Sequence, residues 1–243
     1  VYSGVDYAAI LHEAEKEADV IVWDGGNNDL PFYRGTTTLN IVVADPHRPG
    51  HEVSYHPGEA NIRRADVIVI NKMDSAKAAD VHVVEKNIRA CNPGAVVMKA
   101  RSPISVENGE LIKGRRVLVI EDGPTLTHGE MKYGAGVIAA RKFHARAIID
   151  PRPYTVQSIT AVFKKYPDIG DLLPAMGYGK RQVKDLERTI NRTPCDLVLV
   201  ATPIDLRRIV KIDKPALRVT YELEEIGKTT IKDVLQKAGF KEK

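Results

Sequence analysis

The chain is organised around short, almost uninterrupted runs of apolar residues, many of them β-branched. Five of these runs fall in the first half, at residues 19–23, 39–44, 66–70, 95–98 and 117–120. A strand with one face in water alternates apolar and polar residues, whereas a strand covered on both faces has a continuous apolar run. The five runs therefore predict strands that are buried on both faces, as in a parallel sheet.

Helical patterns separate several of these runs. Residues 7–17 are rich in alanine, glutamate and lysine, and residues 76–89 place Val81, Val84 and Ile88 at helical spacing. Strands that alternate with helices form βαβ units with right-handed crossovers. The first half therefore predicts an α/β fold with a mostly parallel sheet.

The second half repeats this organisation. Its predicted buried strands are 145–149 and 196–201, its predicted edge strand is 217–223, and its predicted helices are 129–143, 156–166, 180–191 and 229–238. A polar segment with turns at Gly109 and Gly114 separates the two halves. We expect residues 1–114 to form the back half of a P-loop NTPase-like region and residues 115–243 to form a second α/β region.

Composition and charge exclude several classes of protein. The net charge is only +4, and no run approaches the roughly 20 apolar residues that span a bilayer. No signal peptide opens the chain, and the two cysteines, Cys91 and Cys195, are too far apart for a disulfide framework or a metal motif. We therefore expect a cytoplasmic protein that binds small anionic ligands, without a nucleic-acid or membrane partner.

The strongest motif is N-K-M-D at residues 71–74, directly after the third apolar run. Ligands of open α/β sheets bind beyond the carboxyl ends of the strands. The Asp74 carboxylate can accept hydrogen bonds from the ring N–H and the amine of guanine. The Asn71 amide can meet N7 of the base, and the Lys72 stem can lie over the ring. The alternative is a helix cap formed by Asp74 or Ser75, but the strand context favours the nucleotide.

Asp24 directly follows the first apolar run, and two glycines follow Asp24. P-loop enzymes hold Mg²⁺ through an acidic residue at such a strand tip, and glycines allow the backbone to approach a phosphate closely. An ordinary Asp-Gly turn explains the same residues. Because Asp24 precedes the N-K-M-D motif in the order that P-loop enzymes have, the pair predicts magnesium with GTP or ATP.

The phosphate-binding sequence of these enzymes, G-x-x-x-x-G-K-[ST], does not occur in the 243 residues. That loop supplies the amides and the lysine that hold the phosphates. We expect that an upstream region, on this chain or on another, provides the loop. The alternative is a catalytically silent nucleotide-binding or oligomerisation module. A sheet without its first strand would expose an apolar edge, which predicts a homo-oligomer.

Two further polar segments follow predicted strands, so we expect them at the ligand edge. His47 and Arg48 follow residues 39–44, where they could bind phosphoryl or carboxylate oxygens, Arg48 in bidentate fashion. Arg152, in a proline-rich turn after residues 145–149, is a candidate contact for an anion. The alternatives are a solvated loop for the first segment and a rigid proline turn for the second.

The segment 121–129 carries a dense set of polar and titratable side chains between a predicted strand and a predicted helix. Free amides and the helix dipole converge in such a place, which favours an anion. The candidate catalytic residues are Glu121, Asp122 and His128, and the candidate substrate-binding residues are Gly123, Thr127, Gly129 and Lys132. A capping box at Thr127 and Glu130 explains part of the pattern without a ligand.

Five stretches of the sequence stand in the order WDGGNND, VADPHRPGHE, VINKMD, VIEDGPTLTHG and GAGVIAARKF. Over nearly the whole chain they resemble cyclic 2,3-diphosphoglycerate synthetase and its relatives, which include predicted GTPases. The resemblance implies a magnesium-dependent, NTP-using ligase, phosphotransferase or GTPase, with Asp24 as the magnesium-side acid. Members of that family are longer and carry a P-loop before this segment. The synthetase uses ATP to close its substrate into a cyclic phosphoanhydride, whereas Asn71, Lys72 and Asp74 match a guanine pattern.

Overall fold

The computed structural model describes residues 1–26, 29–123, 133–177 and 179–240. The chain divides into two compact units. Unit 1 comprises Val1–Arg101 and Glu224–Lys243, and unit 2 comprises Ser102–Leu223. We expected a boundary near residue 114, whereas this division falls at Arg101 and returns the C-terminal segment to the first unit.

Helices and strands alternate along both units. The helices are α1 (Tyr7–Glu15), α2 (His51–Ser54), α3 (Gly58–Arg64), α4 (Ala78–Cys91), α5 (Ala135–Lys142), α6 (Gln157–Lys165), α7 (Lys180–Arg192) and α8 (Ile231–Lys237). The strands are β1 (Ile41–Ala44), β2 (Val67–Ile70), β3 (Val96–Arg101), β4 (Ile104–Val106), β5 (Arg116–Asp122), β6 (Ala147–Ile148), β7 (Leu173–Ala175), β8 (Leu197–Ala201), β9 (Ala216–Tyr221) and β10 (Glu224–Ile226). None of the described helices is long and apolar enough to cross a membrane.

Unit 1 contains a sheet of order β1-β2-β3-β10, in which only β10 is antiparallel. All four residues of β2 are buried. Because side chains alternate along a strand, Ile68 and Ile70 pack with α3 and α4 on one face, while Val67 and Val69 pack with Val234 of α8 on the other. The prediction of a strand covered on both faces is confirmed for β2.

Two predictions for the first half are wrong. Residues 19–23 form no strand, and Val20 and Val22 are 56% and 85% exposed. A strand requires a hydrogen-bonded neighbour, and none of the described strands pairs with this segment. β1 is not buried on both faces, because Val43 on one of its faces is 62% exposed. It is also the edge strand of this sheet, since β2 is its one described neighbour.

Unit 2 contains a sheet of order β4-β9-β8-β5-β6, with β7 pairing alongside the carboxyl end of β5. Every pairing is parallel except that of β4 with β9. Residues 217–223 were expected at an edge, but β9 lies between β8 and β4. The three residues of β4 are too few to produce a recognisable pattern. β6 is also shorter and more exposed than its predicted strand at 145–149.

Both units thus have mostly parallel sheets with flanking helices, and the chain is α/β as expected. The predicted helices are confirmed, with ends that differ by a few residues. The helix predicted at 129–143 is described only from residue 133 onward, and there it begins at Ala135.

Candidate functional site

Two loops leave the sheet of unit 1 side by side. The register of β1 and β2 places Ala44 opposite Ile70, and the amide of Asn71 donates to the carbonyl of Ala44 at 3.1 Å. We call residues 45–50 the first loop and residues 71–77 the base loop. Both follow the carboxyl ends of parallel strands, which is the ligand edge of an α/β sheet.

Asp45 joins the two loops. Its Oδ2 lies 2.7 Å from Lys72 Nζ and 3.4 Å from Arg48 Nη2, and its Oδ1 accepts the amide of His47 at 3.0 Å. Burial alone would raise the pKa of Asp45, but the hydrogen bond and charge of Lys72, the His47 amide and Arg48 outweigh it and lower the pKa. Asp45 is therefore held as an anion between the loops.

A second contact joins the same loops. Nε2 of His47 lies 2.9 Å from Oγ of Ser75. His47 and Arg48, both predicted for phosphate binding, therefore lie beside the N-K-M-D motif, as the sequence led us to expect. In this arrangement His47 contacts the base loop and Arg48 contacts Asp45.

The base loop is also fixed from within and by β3. The Asn71 Oδ1 accepts the amide of Lys72 at 2.8 Å, and the amide of Met73 donates to the carbonyl of Ala100 at 3.0 Å. Lys72 has a φ of 58°, in the left-handed region that L-residues rarely adopt. Asp74 is exposed. The loop is thus a defined structure with its acidic residue at the surface.

The helix-cap alternative for the motif does not hold. α4 begins at Ala78, its N-cap residue is Lys77, and the Lys77 side chain makes no capping hydrogen bond. Asp74 and Ser75 lie before that position, within the turn in which the amides of Ser75 and Ala76 donate to the carbonyl of Lys72. Neither Asp74 nor Ser75 is therefore the N-cap residue of α4.

Replacing Asp45 tests the link between the loops. Because its folded-state pKa is lowered, the carboxylate contributes stability that is present above its ordinary pKa near 4 and is lost as pH falls through the lowered value. Asp45→Asn is expected to cost about 1 kcal/mol at pH 7, since the partners are partly exposed, and less at pH 3. Urea unfolding of parent and variant at both values measures this.

A double-mutant cycle with Lys72→Met supplies the control for that measurement. If the ion pair carries the effect, the Asp45 substitution costs less in the Lys72→Met background than in the parent. An equal cost at pH 7 and pH 3 contradicts the assignment.

Asp24 has no described contact with either of these loops. It is exposed, and no hydrogen bond or ion pair connects it with either loop among the described residues. Its segment is attached to α3, where the Asn61 side chain donates to the carbonyl of Asp29 at 2.8 Å. The described residues contain no group of three or more metal-ligating side chains. Mg²⁺ beside a nucleotide usually takes one or two carboxylates with water and phosphates, so a single Asp24 fits such an ion.

Residues 31–99 match the nucleotide-binding domain of the CobW/HypB/UreG family. This domain is of the P-loop NTPase type. The match contains both loops, and Asp24 lies before it. The chain is also 63% identical over 236 residues to "Arginine synthetase ArcE" of Thermococcus kodakarensis. That alignment covers 97% of this chain and 52% of the relative, so the chain spans about half the length of the curated relative it matches.

In unit 2, Glu121 is the penultimate residue of β5, and only 3% of its surface is exposed. Its Oε1 accepts the amide of Val137 at 3.0 Å, and the amides of Gly134 and Gly136 also donate to the carboxylate. Burial raises the pKa of Glu121, and these amides only partly oppose that effect. The side chain therefore caps the start of α5 and is covered from solvent, instead of facing an open site.

The other candidate residues of that segment are only partly described. Asp122 and Gly123 lie alongside β7, where Asp122 pairs with Ala175. The predicted catalytic His128 lies outside the described residues, as do the predicted substrate-binding residues Thr127, Gly129 and Lys132.

Arg152 is engaged by the chain itself. Its Nη1 lies 2.9 Å from Asp150 Oδ1 and 3.3 Å from Asp171 Oδ1, and its Nη2 donates to the carbonyl of Ile169. The guanidinium carbon lies 4.9 Å from the centre of the Phe163 ring. These contacts support the rigid-turn interpretation of Arg152 more than that of an anion contact.

Sequence reasoning did not single out Asp45, which is the centre of the contacts in unit 1. Its position directly after β1, at the same edge as Lys72, was the available signal. An acid and a lysine that follow adjacent parallel strands can form an ion pair, so the pair of Asp45 and Lys72 could have been predicted from the strand order.

Proposed function

We propose that unit 1 binds the base end of a purine nucleoside triphosphate and that the chain is part of an NTP-dependent synthetase. The observation that carries this proposal is the link between the first loop and the base loop through Asp45 and Lys72, at the ligand edge and inside the matched nucleotide-binding domain. The exposed Asp74 reads guanine, and Asn71 and Lys72 complete the base site. GTP is therefore the preferred nucleotide over ATP.

In this proposal the triphosphate extends from the base towards the first loop and Asp24. His47 and Arg48 lie beside the base loop and contribute hydrogen-bond donors there. Asp24 would hold Mg²⁺, and that ion would supply positive charge to neutralise the phosphates. The phosphate-binding loop lies outside these 243 residues, since the sequence has no G-x-x-x-x-G-K-[ST] stretch and the curated relative is about twice as long. The uncovered side of β1, where Val43 is exposed, is available for self-association or for that region.

The product is arginine in this proposal. The 63% identity to a protein named arginine synthetase favours that outcome over the cyclic phosphoanhydride that the sequence motifs suggested. Unit 2 binds the small acceptor at the segment 121–129, where Asp122 and His128 are the catalytic candidates and Glu121 holds the start of α5.

The test compares this chain with a protein that also contains the upstream region of its gene. Without a phosphate cradle a nucleotide loses several charge-assisted hydrogen bonds, each worth about 1.5–3 kcal/mol, so this chain is expected to bind GTP and ATP at millimolar strength or weaker and to show no turnover. The longer protein is expected to consume NTP in the presence of Mg²⁺ and the arginine precursors, with arginine detected by mass spectrometry.

Each other outcome has a defined meaning. Robust hydrolysis by the 243 residues alone contradicts the assignment of the site. A cyclic phosphoanhydride formed from 2,3-diphosphoglycerate contradicts arginine as the product but leaves the nucleotide site intact. A longer protein that binds nucleotide without any turnover supports a silent binding module.

A further inference from the structure

A basic cavity lies in unit 2, at the carboxyl end of β8 and beside the adjoining part of β9. It is open, has a volume of about 440 Å³, and is lined by Pro203, Ile204, Asp205, Arg208, Ile209 and Arg218. β8 ends at Ala201, and the register of the parallel pair places Arg218 opposite Val200, near that end. The cavity therefore occupies the edge at which α/β sheets bind ligands, and its volume suits a small molecule.

The charge of this cavity is positive. Its one acid, Asp205, is held by Arg207, whose Nε and Nη2 lie 2.8 and 2.7 Å from the two carboxylate oxygens. Chiefly because of that side-chain hydrogen bond, the pKa of Asp205 is lowered to about 2. Arg207 thus neutralises Asp205. Arg208 and Arg218 form no ion pair within 4 Å of a described residue, while the charge of Arg218 helps Arg207 to lower the pKa of Asp205.

The Arg218 guanidinium retains unused donors. Its Nη2 donates to the carbonyl of Pro203 at 3.0 Å, while its Nε is buried without a hydrogen-bond partner. Buried donors are normally paired, because leaving one unpaired costs free energy. The buried Nε is closed to a ligand, but Nη1 of the same guanidinium donates to no described residue, and an oxyanion that enters the cavity would give it an acceptor.

We propose that this cavity binds a small organic molecule through a carboxylate or phosphate group, which Arg208 and Arg218 hold together. A planar guanidinium matches the paired oxygens of either group. Ile204 and Ile209, each 43% exposed, supply apolar contacts for the rest of the molecule. This site lies within unit 2 and does not depend on the function proposed for unit 1.

Calorimetric titration of the full chain with inorganic phosphate, and separately with succinate, tests the proposal without any nucleotide. At least one of the two anions is expected to bind saturably, and Arg208→Gln and Arg218→Gln are each expected to weaken that binding at least tenfold. Arg218→Lys keeps the charge but loses the fork, so it is expected to weaken binding too. Arg192→Gln, which removes an exposed charge at the end of α7, is expected to bind as the parent does.

The outcomes separate the possible ligands. Binding of phosphate alone indicates a phosphate ester as the natural ligand, and binding of succinate alone indicates a carboxylic acid. Failure of both anions to saturate contradicts the proposal, and so does an equal loss in the Arg192→Gln control. If Arg218→Gln unfolds because its contact with Pro203 is lost, Arg208→Gln still decides the question, since no described residue accepts a hydrogen bond from Arg208.

Discussion

Asp74→Asn is expected to turn a guanine-binding site into one that prefers xanthine. The carboxylate offers two acceptors to the ring N–H and amine of guanine, whereas an amide offers one acceptor and one donor. Hydrogen bonds to charged groups are worth about 1.5–3 kcal/mol each, and about 1.4 kcal/mol is a factor of ten. Affinity for GTP is therefore expected to fall by about 100-fold or more, while affinity for XTP rises.

Competition binding with GTP, XTP and ATP measures this change in the protein extended by its phosphate-binding region. Asp80→Asn, on the first turn of α4, is the matched control and is expected to leave all three affinities unchanged. Thermal unfolding of the Asp74 variant checks that it remains folded under the binding conditions. Unchanged GTP affinity in the Asp74 variant, or an ATP preference in the parent, contradicts the base assignment.

The contacts of the base loop hold it in one conformation. The left-handed backbone of Lys72, the anchored Met73 amide and the Asp45 carboxylate fix the loop from three directions. A loop that is already ordered loses less conformational entropy when a ligand binds, and this favours affinity. Asp74 is exposed at the surface of this ordered loop, where a base could reach it.

The sequence predicted several of the strands of this fold, but one predicted strand does not form. Residues 66–70 and 19–23 have almost the same composition, yet the first is the centre of a sheet and the second is largely exposed. An apolar run describes the preference of a segment, whereas a strand also depends on a neighbour that can be distant in sequence. The three-residue strands β4, β7 and β10 had no periodicity to detect.

The candidate site was predictable where it depended on strand ends and not where it depended on distant contacts. The first loop and the N-K-M-D motif meet because each directly follows a parallel strand. Arg152 instead contacts Asp171, and Glu121 caps a helix that starts at Ala135, partners that no local pattern identifies. The cavity of Arg208 and Arg218 also combines a loop with a later strand.

Gly136→Ala is expected to destabilise unit 2 strongly. A Cβ at this position would lie 2.6 Å from Val119 Cγ1 and 2.9 Å from Ala201 Cβ, closer than carbon atoms approach without movement. The two neighbours belong to the central strands β5 and β8, so they cannot move without disturbing the core and the Glu121 cap beside it. Overpacking of this kind costs about 1–3 kcal/mol or more.

Thermal unfolding followed by circular dichroism measures the effect, because about 1 kcal/mol shifts the midpoint by roughly 2–4 °C in a chain of this size. Gly58→Ala is the control, since a Cβ there meets nothing within 4 Å and alanine favours the helix α3. That variant is expected to unfold at the parent temperature or slightly above it. A Gly136→Ala protein as stable as the parent would mean that α5 can lift from the sheet at little cost, and Glu121 would then have room to reach a ligand.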